Sequence, residues 1–458
     1  MQNETAEFEY QARKTQTLQL VDSINKNSRM SPDIRDEELF TKLTNLLNHA
    51  KKSSWWNWHL TERQTRNNAQ TNLVDLSNSL PVLSRGQVQD FGQWMQIWVA
   101  GSKLRDYGKV TTSGSTGKPV TVTKFLPSQQ MEYNAIELTD FTWQNIDLDR
   151  SFLVFTSRAT PKVNPSPYGE PQNYLGGIGK TFFRKIEETK ISDIFKLIVD
   201  ENIESALFSP KVLRYLIAEF DESETPVFPL RNILAFSDRV ENSDRLLARD
   251  ILGARILDRY STSELGPLAI QCPNREHLHA LQFNNYVEIL NSDNQPCVRG
   301  EIGRVVVTAL SSFAMPLIRY ETGDTASWDE ACDSEITLPV LRPEIVRLRE
   351  SYLGSDGAIR NVLPDNASFS KLPGIKDYQL FIFRDRLALF LIGNLVFTEV
   401  EIEAIKLELI DVTGKSLPAE VFVFDQLDWM QGWKRRPVVI VDENYPTGQP
   451  IAHFRRYL

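Results

Sequence analysis

The segment Thr111–Thr123, TTSGSTGKPVTVT, concentrates groups that could hold phosphate. Gly114 and Gly117 let a ligand approach the backbone closely. Thr112, Ser113, Ser115 and Thr116 offer hydroxyl donors, and Lys118 adds a cation. It is not a Walker A loop: two residues rather than four separate the glycines, and Pro119 follows Lys118 where Ser or Thr is required. A second cluster, Cys272, His277 and His279, has the spacing C-x4-H-x-H. Zinc would need a fourth ligand, and the spacing is not a standard zinc pattern, so no metal is expected there. With five histidines in the chain, no Ser-His-Asp arrangement can be proposed and a hydrolase has little support.

Two further segments follow the loop, Tyr260–Gly266 (YSTSELG) and Pro316–Asp324 (PLIRYETGD). TSGSTGKP resembles the phosphate-binding loop of the adenylate-forming superfamily, which includes acyl-CoA synthetases, luciferases and peptide-synthetase adenylation domains. The two later segments resemble its aromatic–Gly–x–Thr/Ser–Glu and Tyr-x-Thr-Gly-Asp motifs. Three signatures in the right order are far more specific than any one of them. LTNLLNHAKKSSWW (43–56), LPVLSRGQV (80–88), the stretch from Glu264 to Leu278-His279, and Gly300–Arg304 resemble the phenylacetate–CoA ligase branch. The resemblance covers most of the chain from about residue 36 and weakens beyond residue 345. Relatives carry a similar Cys and Leu-His pair without requiring metal.

The resemblance implies ATP-dependent activation of a small carboxylic acid to its acyl-AMP with release of pyrophosphate. Acyl transfer to a thiol (CoA or a carrier protein) or to an amine would follow. Ser113–Lys118 would hold the β- and γ-phosphates, Glu264 would help hold Mg²⁺, and Ser263 would sit near the α-phosphate. Tyr260 would stack on adenine, and Asp324 would accept hydrogen bonds from the ribose hydroxyls. Ser237, Asp238 and Arg239 lie where relatives carry a Gly-Ala-Glu-Pro-like adenine loop; backbone contacts to adenine could survive the change, but side-chain roles do not carry over. At the hinge, Val346-Arg347-Leu348-Arg349-Glu350-Ser351 replaces Gly-Arg-x-x-Asp. Arg349 is the first choice for the ribose-contacting arginine and Arg347 the second, and the usual hinge acid is not evident. For the lysine delivered late in the chain, Lys434 competes with an alignment that places Gln449 there, and Lys434 is preferred.

Two other functions remain in view at this stage: AMP transfer to a hydroxyl substrate, and a non-catalytic nucleotide-binding relative. Tyr168 and Tyr174 among Gly169, Gly176 and Gly177 point to an aromatic or other small planar acid.

These residues need elements to hold them. From residue 100 to about 340, β-rich runs such as Ser151–Thr156 and Arg304–Leu310 alternate with helical stretches such as Ile191–Asn202, which predicts an α/β body. Asp36–Ser53 reads as an amphipathic helix, followed by Trp55, Trp56 and Trp58 as a packing anchor. Beyond a joint near 345–370, Tyr378–Phe383, Leu387–Ile392, Glu399–Asp411 and Glu420–Phe424 form a β-β-α-β series. The fold expected is α/β, a large adenylate-forming body (1–345) with a smaller α+β carboxy-terminal lid (346–458).

The chain has 458 residues and a net charge of −9, a poor footprint for nucleic acid or an anionic membrane. Three scattered cysteines and an amino terminus without an apolar stretch point to a reducing, cytoplasmic setting. Relatives include dimers, and the sequence leaves homodimerisation open.

Overall fold

Leu39, Leu43, Leu46, Leu47 and Ala50 recur at helical spacing and line the buried face of a helix spanning Pro32–Ala50. Pro32 occupies its first turn, where a missing N–H costs nothing. Trp56 packs into the same core, fully buried, and its indole N–H donates to the carbonyl of Pro316 at 3.0 Å. Trp58 is 57% exposed, so the aromatic cluster divides between anchor and surface.

The computed structural model describes residues 2–64, 72–112, 119–156, 180–186, 188–221, 228–235, 238–342, 344–353, 357–372, 374–393, 396–425 and 437–441. The chain forms two units. One comprises Met1–Asn145, Arg259–Leu348 and Leu353–Ile359; the other comprises Ile146–Asp258, Arg349–Tyr352 and Arg360–Leu458.

Among the described residues, the first unit holds three sheets. A hairpin pairs Tyr107–Thr111 with Thr121–Phe125, with Thr111 opposite Thr121, so the phosphate-loop sequence is the connection of a hairpin. A four-stranded antiparallel sheet runs in the order Asn285–Leu290, Gly303–Ala309, Tyr320–Ala326, Val346–Arg347. At Gly303 a Cβ would fall within 2.7 Å of the Leu290 carbonyl, so only glycine allows that approach. A smaller antiparallel sheet is ordered Val340–Leu341, Leu278–Ala280, Gly266–Gln271, Arg259–Thr262. Tyr260, Leu268, Leu278, Val287, Val305 and Val307 share a single core, which ties the last two sheets together.

The second unit contains a five-stranded parallel sheet, Thr181–Lys185, Phe152–Thr156, Ser205–Phe208, Asn232–Ala235, Arg255–Leu257. Its inner strands are apolar on both faces, as a sheet covered by crossover helices requires. The helices Ile191–Asp200 and Pro210–Asp221 supply Ile194, Ile198, Leu213 and Ile217 to its core. The expected β-β-α-β series is also present, as Ile375–Ile382, Leu387–Gly393, the helix Glu399–Thr413 and Ala419–Phe424. That helix starts with a capping box between Thr398 and Glu401. It ends at Gly414, whose φ of 64° suits glycine. A three-residue strand, Val438–Ile440, runs parallel to Ile375–Ile382 and completes the sheet. Among the described residues, no helix is long and apolar enough to cross a membrane.

Candidate active site

The strand Tyr320–Ala326 alternates, and its odd pattern of burial puts Tyr320, Thr322 and Asp324 on one inward face. The edge strand of the smaller sheet brings the second motif to that face. Tyr260 lies within Arg259–Thr262, and the turn that follows, Ser263–Leu265, leads into Gly266–Gln271. Leu265 N–H donates to Thr262 Oγ1 at 3.1 Å, which closes the turn. Two sequence motifs separated by more than fifty residues thereby meet side chain to side chain.

The first meeting point is Asp324, which is buried. Its Oδ2 accepts from the Tyr260 hydroxyl at 2.8 Å, and its Oδ1 pairs with Arg347 Nη1 at 2.8 Å. Arg347 arrives there because Val346–Arg347 pairs with this strand in the register Asp324 opposite Arg347. Thr322 Oγ1 accepts from the Asp324 backbone N–H at 3.2 Å and donates to the Val305 carbonyl at 3.1 Å, which fixes the turn of the motif. Gly323 between them has φ 81°, the left-handed region that favours glycine. Burial, and then the Asp324 charge, push the Tyr260 phenol well above its ordinary pKa, so it stays a hydrogen-bond donor.

The second meeting point is Glu264. Its Oε1 accepts from Arg85 Nη1 at 3.1 Å and from the Tyr320 hydroxyl at 3.2 Å. Arg85 Nη2 also donates to Thr112 Oγ1 at 2.8 Å, so one guanidinium joins the carboxylate of the second motif to the mouth of the Gly-rich segment. Thr112 Oγ1 accepts in addition from Val120 N–H at 3.0 Å, and Thr112 N–H donates to the Val120 carbonyl at 2.9 Å. Both contacts of Glu264 fall on Oε1; its Oε2 has no hydrogen-bond partner among the described residues.

Sequence reasoning missed three residues here. Arg85 is one: it sits in the LPVLSRGQV segment, at the first position of a helix capped by Ser84 and Gln87, yet nothing local marks it as Glu264's partner. Lys124 is another. It is buried, and burial lowers its pKa to about 8 despite the opposing pull of Glu132 and Glu264. Period-two alternation puts it on the face of Val120 and Val122, so an inward lysine was a readable signal. Arg319, inside the third motif, is structural. It forms a buried two-point pair with Glu288 at 3.1 and 2.9 Å and donates to the Leu80 carbonyl at 2.8 Å.

Other expected residues lie elsewhere. Asp238 Oδ2 accepts from Ser209 at 2.5 Å. The Arg239 guanidinium is engaged by Asp365 at 2.8 and 3.3 Å. Burial works against the Arg239 charge, but Asp365 and Glu241 more than offset it and hold it protonated. Ser263 lies in the turn beside Glu264, half-buried. Ser113, Gly114, Ser115, Thr116, Gly117, Lys118, Ser237, Lys434 and Gln449 lie outside the described residues. So do Tyr168, Tyr174 and the side chain of Arg349.

No protein-family model matches this chain, and no curated protein matches it in sequence. Solved structures do match. The 2-hydroxyisobutyryl-CoA ligase HCL, in the postadenylation state in complex with 2-HIB-AMP, superposes with a TM-score of 0.72 at 14% identity, over 92% of each chain. An open conformation of HCL in complex with 2-HIB-AMP and CoA gives 0.61 at 15% identity, over 91% of this chain and 93% of that one. The anthranilate CoA ligase AuaEII in complex with anthranoyl-AMP gives 0.51 at 14% identity, over 77% of this chain and 72% of that one. The chain has the fold of these CoA ligases, the fold that the resemblance of its three motifs implies.

Proposed function

We propose that this protein is an AMP-forming carboxylate ligase that converts a small acid and ATP to acyl-AMP and pyrophosphate, then passes the acyl group to a thiol. The observation that carries this reading is the convergence of Asp324, Tyr260, Glu264, Arg85 and Thr112 on one strand face and the mouth of one hairpin loop. The shared fold with acyl-CoA ligases supports it further.

The chemistry explains why such a set is needed. A carboxylate oxygen attacks the α-phosphorus of ATP, a P–O bond forms to the acid, and the bond to the pyrophosphate oxygen breaks. Two anions must approach and a third must leave, so positioning and charge neutralisation carry the catalysis. Thr112, whose oxygen already accepts twice, has its O–H to donate to a phosphate oxygen. With Ser113–Lys118 it would hold the β- and γ-phosphates. Ser263, in the Glu264 turn, would face the α-phosphate. Asp324 would bind the ribose hydroxyls, and Arg347 would keep it oriented, with Arg349 as a second ribose contact. Tyr260 would wall the base and also aim Asp324. Glu264 would hold Mg²⁺, whose bound charge would offset the phosphate oxygens. Lys434, on a lid made by residues 346–458, would neutralise charge during adenylation.

In the second half-reaction a thiol attacks the acyl carbonyl and AMP leaves. CoA is the acceptor favoured by the neighbours' fold; a carrier-protein thiol or an amine is the alternative. An aromatic or other small planar acid is the substrate class proposed, and a cytoplasmic protein, monomeric or dimeric, is the setting.

The test is carboxylate-dependent exchange of radiolabelled pyrophosphate into ATP, over a panel of aryl, aliphatic and amino acids. Exchange with one class is the expected result. ATP binding without exchange for any acid would overturn the reading in favour of AMP transfer to a hydroxyl or a non-catalytic nucleotide-binding role.

A further inference from the structure

The C-x4-H-x-H cluster lacks a fourth ligand only in the sequence. In the fold, Cys332 closes on Cys272, His277 and His279, and one ligand atom from each lies within 4.8 Å of all the others. Cys272 directly follows the strand Gly266–Gln271, and His277 and His279 flank Leu278 at the start of the neighbouring strand. Cys332 comes from the excursion that precedes Val340–Leu341. We propose that these four residues form a structural zinc site.

Three observations point to a ligand. The two thiols are 3.7 Å apart, too far for a disulfide and close to the separation of about 3.8 Å that two thiolates take up on tetrahedral zinc with bonds of about 2.3 Å. The Nε2 atoms of His277 and His279 are both buried and have no hydrogen-bond partner among the described residues. Two such imidazole nitrogens side by side are expensive unless something accepts their lone pairs. Finally, Nδ1 of His279 faces the Leu338 carbonyl at 3.4 Å, the outer contact that places the proton on Nδ1 and frees Nε2 to ligate.

The donor set narrows the ion. Two thiols and two imidazoles gathered on one point suit zinc, and four protein ligands leave no open position for a substrate or water. The site therefore fastens rather than catalyses. It joins the end of strand Gly266–Gln271 opposite the Glu264 turn to a segment sixty residues further on. The turn from Cys272 is already shaped for this: its N–H donates to the His277 carbonyl at 2.9 Å. On the exposed side, Arg275 and Asp333 pair across the same two segments at 2.6 Å. This inference stands apart from the proposed ligase activity.

The test uses the full-length protein purified without chelator and analysed for metals by mass spectrometry. One zinc per chain is expected, released when the thiols are modified and taken up by a zinc-sensitive dye. Replacement by cobalt should give the visible bands of a tetrahedral ion together with a thiolate-to-cobalt charge-transfer band. The variants Cys332→Ser and His279→Asn should lose stoichiometric zinc and melt at lower temperature. Wild-type protein that is folded yet retains no metal after incubation with zinc would overturn the proposal. So would full zinc retention by both folded variants. An intact mass lower by two hydrogens, with only Cys297 titrating as a thiol, would identify the pair as a disulfide and equally overturn it.

Discussion

Asp324 carries the most information per atom. Each of its oxygens is already engaged, one by a phenol and one by a guanidinium, yet a carboxylate has lone pairs to spare for two ribose hydroxyls. Asp324→Asn keeps the shape and removes the charge. Loss of charge-assisted hydrogen bonds, worth roughly 1.5–3 kcal/mol, should raise the KM for ATP by about 10-fold or more. Tyr260→Phe should cost less, because it removes only the phenol that aims the carboxylate. Steady-state kinetics of pyrophosphate exchange checks both, and an unchanged KM in Asp324→Asn would end the ribose assignment. Lys124 makes a separate statement about pH. Burial lowers its pKa to about 8, so it is charged at neutral pH and loses its proton just above. If its charge helps to neutralise the neighbourhood of Glu264 and the phosphates, exchange should fall as pH rises through about 8. Lys124→Arg, which cannot deprotonate in this range, should move that alkaline limb upward. A limb unmoved in Lys124→Arg assigns it to another group.

At the scale of elements, what was legible in the sequence follows from how local each signal is. The Glu264 turn and the Gly323 bend are each specified by a few adjacent residues whose types suit the backbone they must adopt, and so they read as motifs. The helix Glu399–Thr413 was bounded nearly to the residue because Thr398 and Glu401 write its start. By contrast, Arg85 beside Glu264 and Cys332 beside Cys272 are products of packing between distant segments, and no spacing announces them; Arg347, named only as the second choice at the hinge, reaches Asp324 through strand pairing. Val438–Ile440 was missed for a different reason: three residues carry too little periodicity to mark a strand. The cap on Arg85's helix allows a test of positioning. Ser84 Oγ accepts from Gln87 N–H at 3.2 Å, and Gln87 Oε1 accepts from Ser84 N–H at 2.8 Å. Ser84→Ala should lower stability by about 1 kcal/mol in urea unfolding and raise the KM for ATP, while Ser84→Asn, another good cap, should preserve both. A loss of stability without any kinetic change would separate the cap from the site.

For the molecule as a whole, the unit that contains the parallel sheet also contains the carboxy-terminal sheet, and buried ionic groups tie the two stretches of chain. Arg214 Nη1 donates to the carbonyls of Ser370 and Ile375 at 3.1 and 3.2 Å, while its Nε holds Asp244 at 3.1 Å. Asp365 is buried and takes two hydrogen bonds from Arg239 and one from the Asn242 backbone at 3.2 Å. Burial would raise the Asp365 pKa, but Arg239 prevails and holds it below 3.8. Such a pair gains little net stability over a well-packed apolar substitute, yet stranding one partner costs about 3–5 kcal/mol. Asp365→Asn should therefore destabilise the protein by roughly 3 kcal/mol, and Asp365→Leu combined with Arg239→Met should recover much of that loss. The pH dependence has a definite sign. The carboxylate's contribution is fully present above its ordinary value of 3.8 and is lost as pH falls through the lower folded value, so wild type and Asp365→Asn should differ at pH 7 and converge in acid. Urea unfolding at a series of pH values measures both. The same variants bear on the lid proposed for residues 346–458. A lid that changes position between half-reactions must break these ties in one of its poses, so loosening them should alter pyrophosphate exchange and acyl transfer by different factors. Equal loss in both half-reactions would reduce Arg239 and Asp365 to a structural clamp and leave the lid fixed.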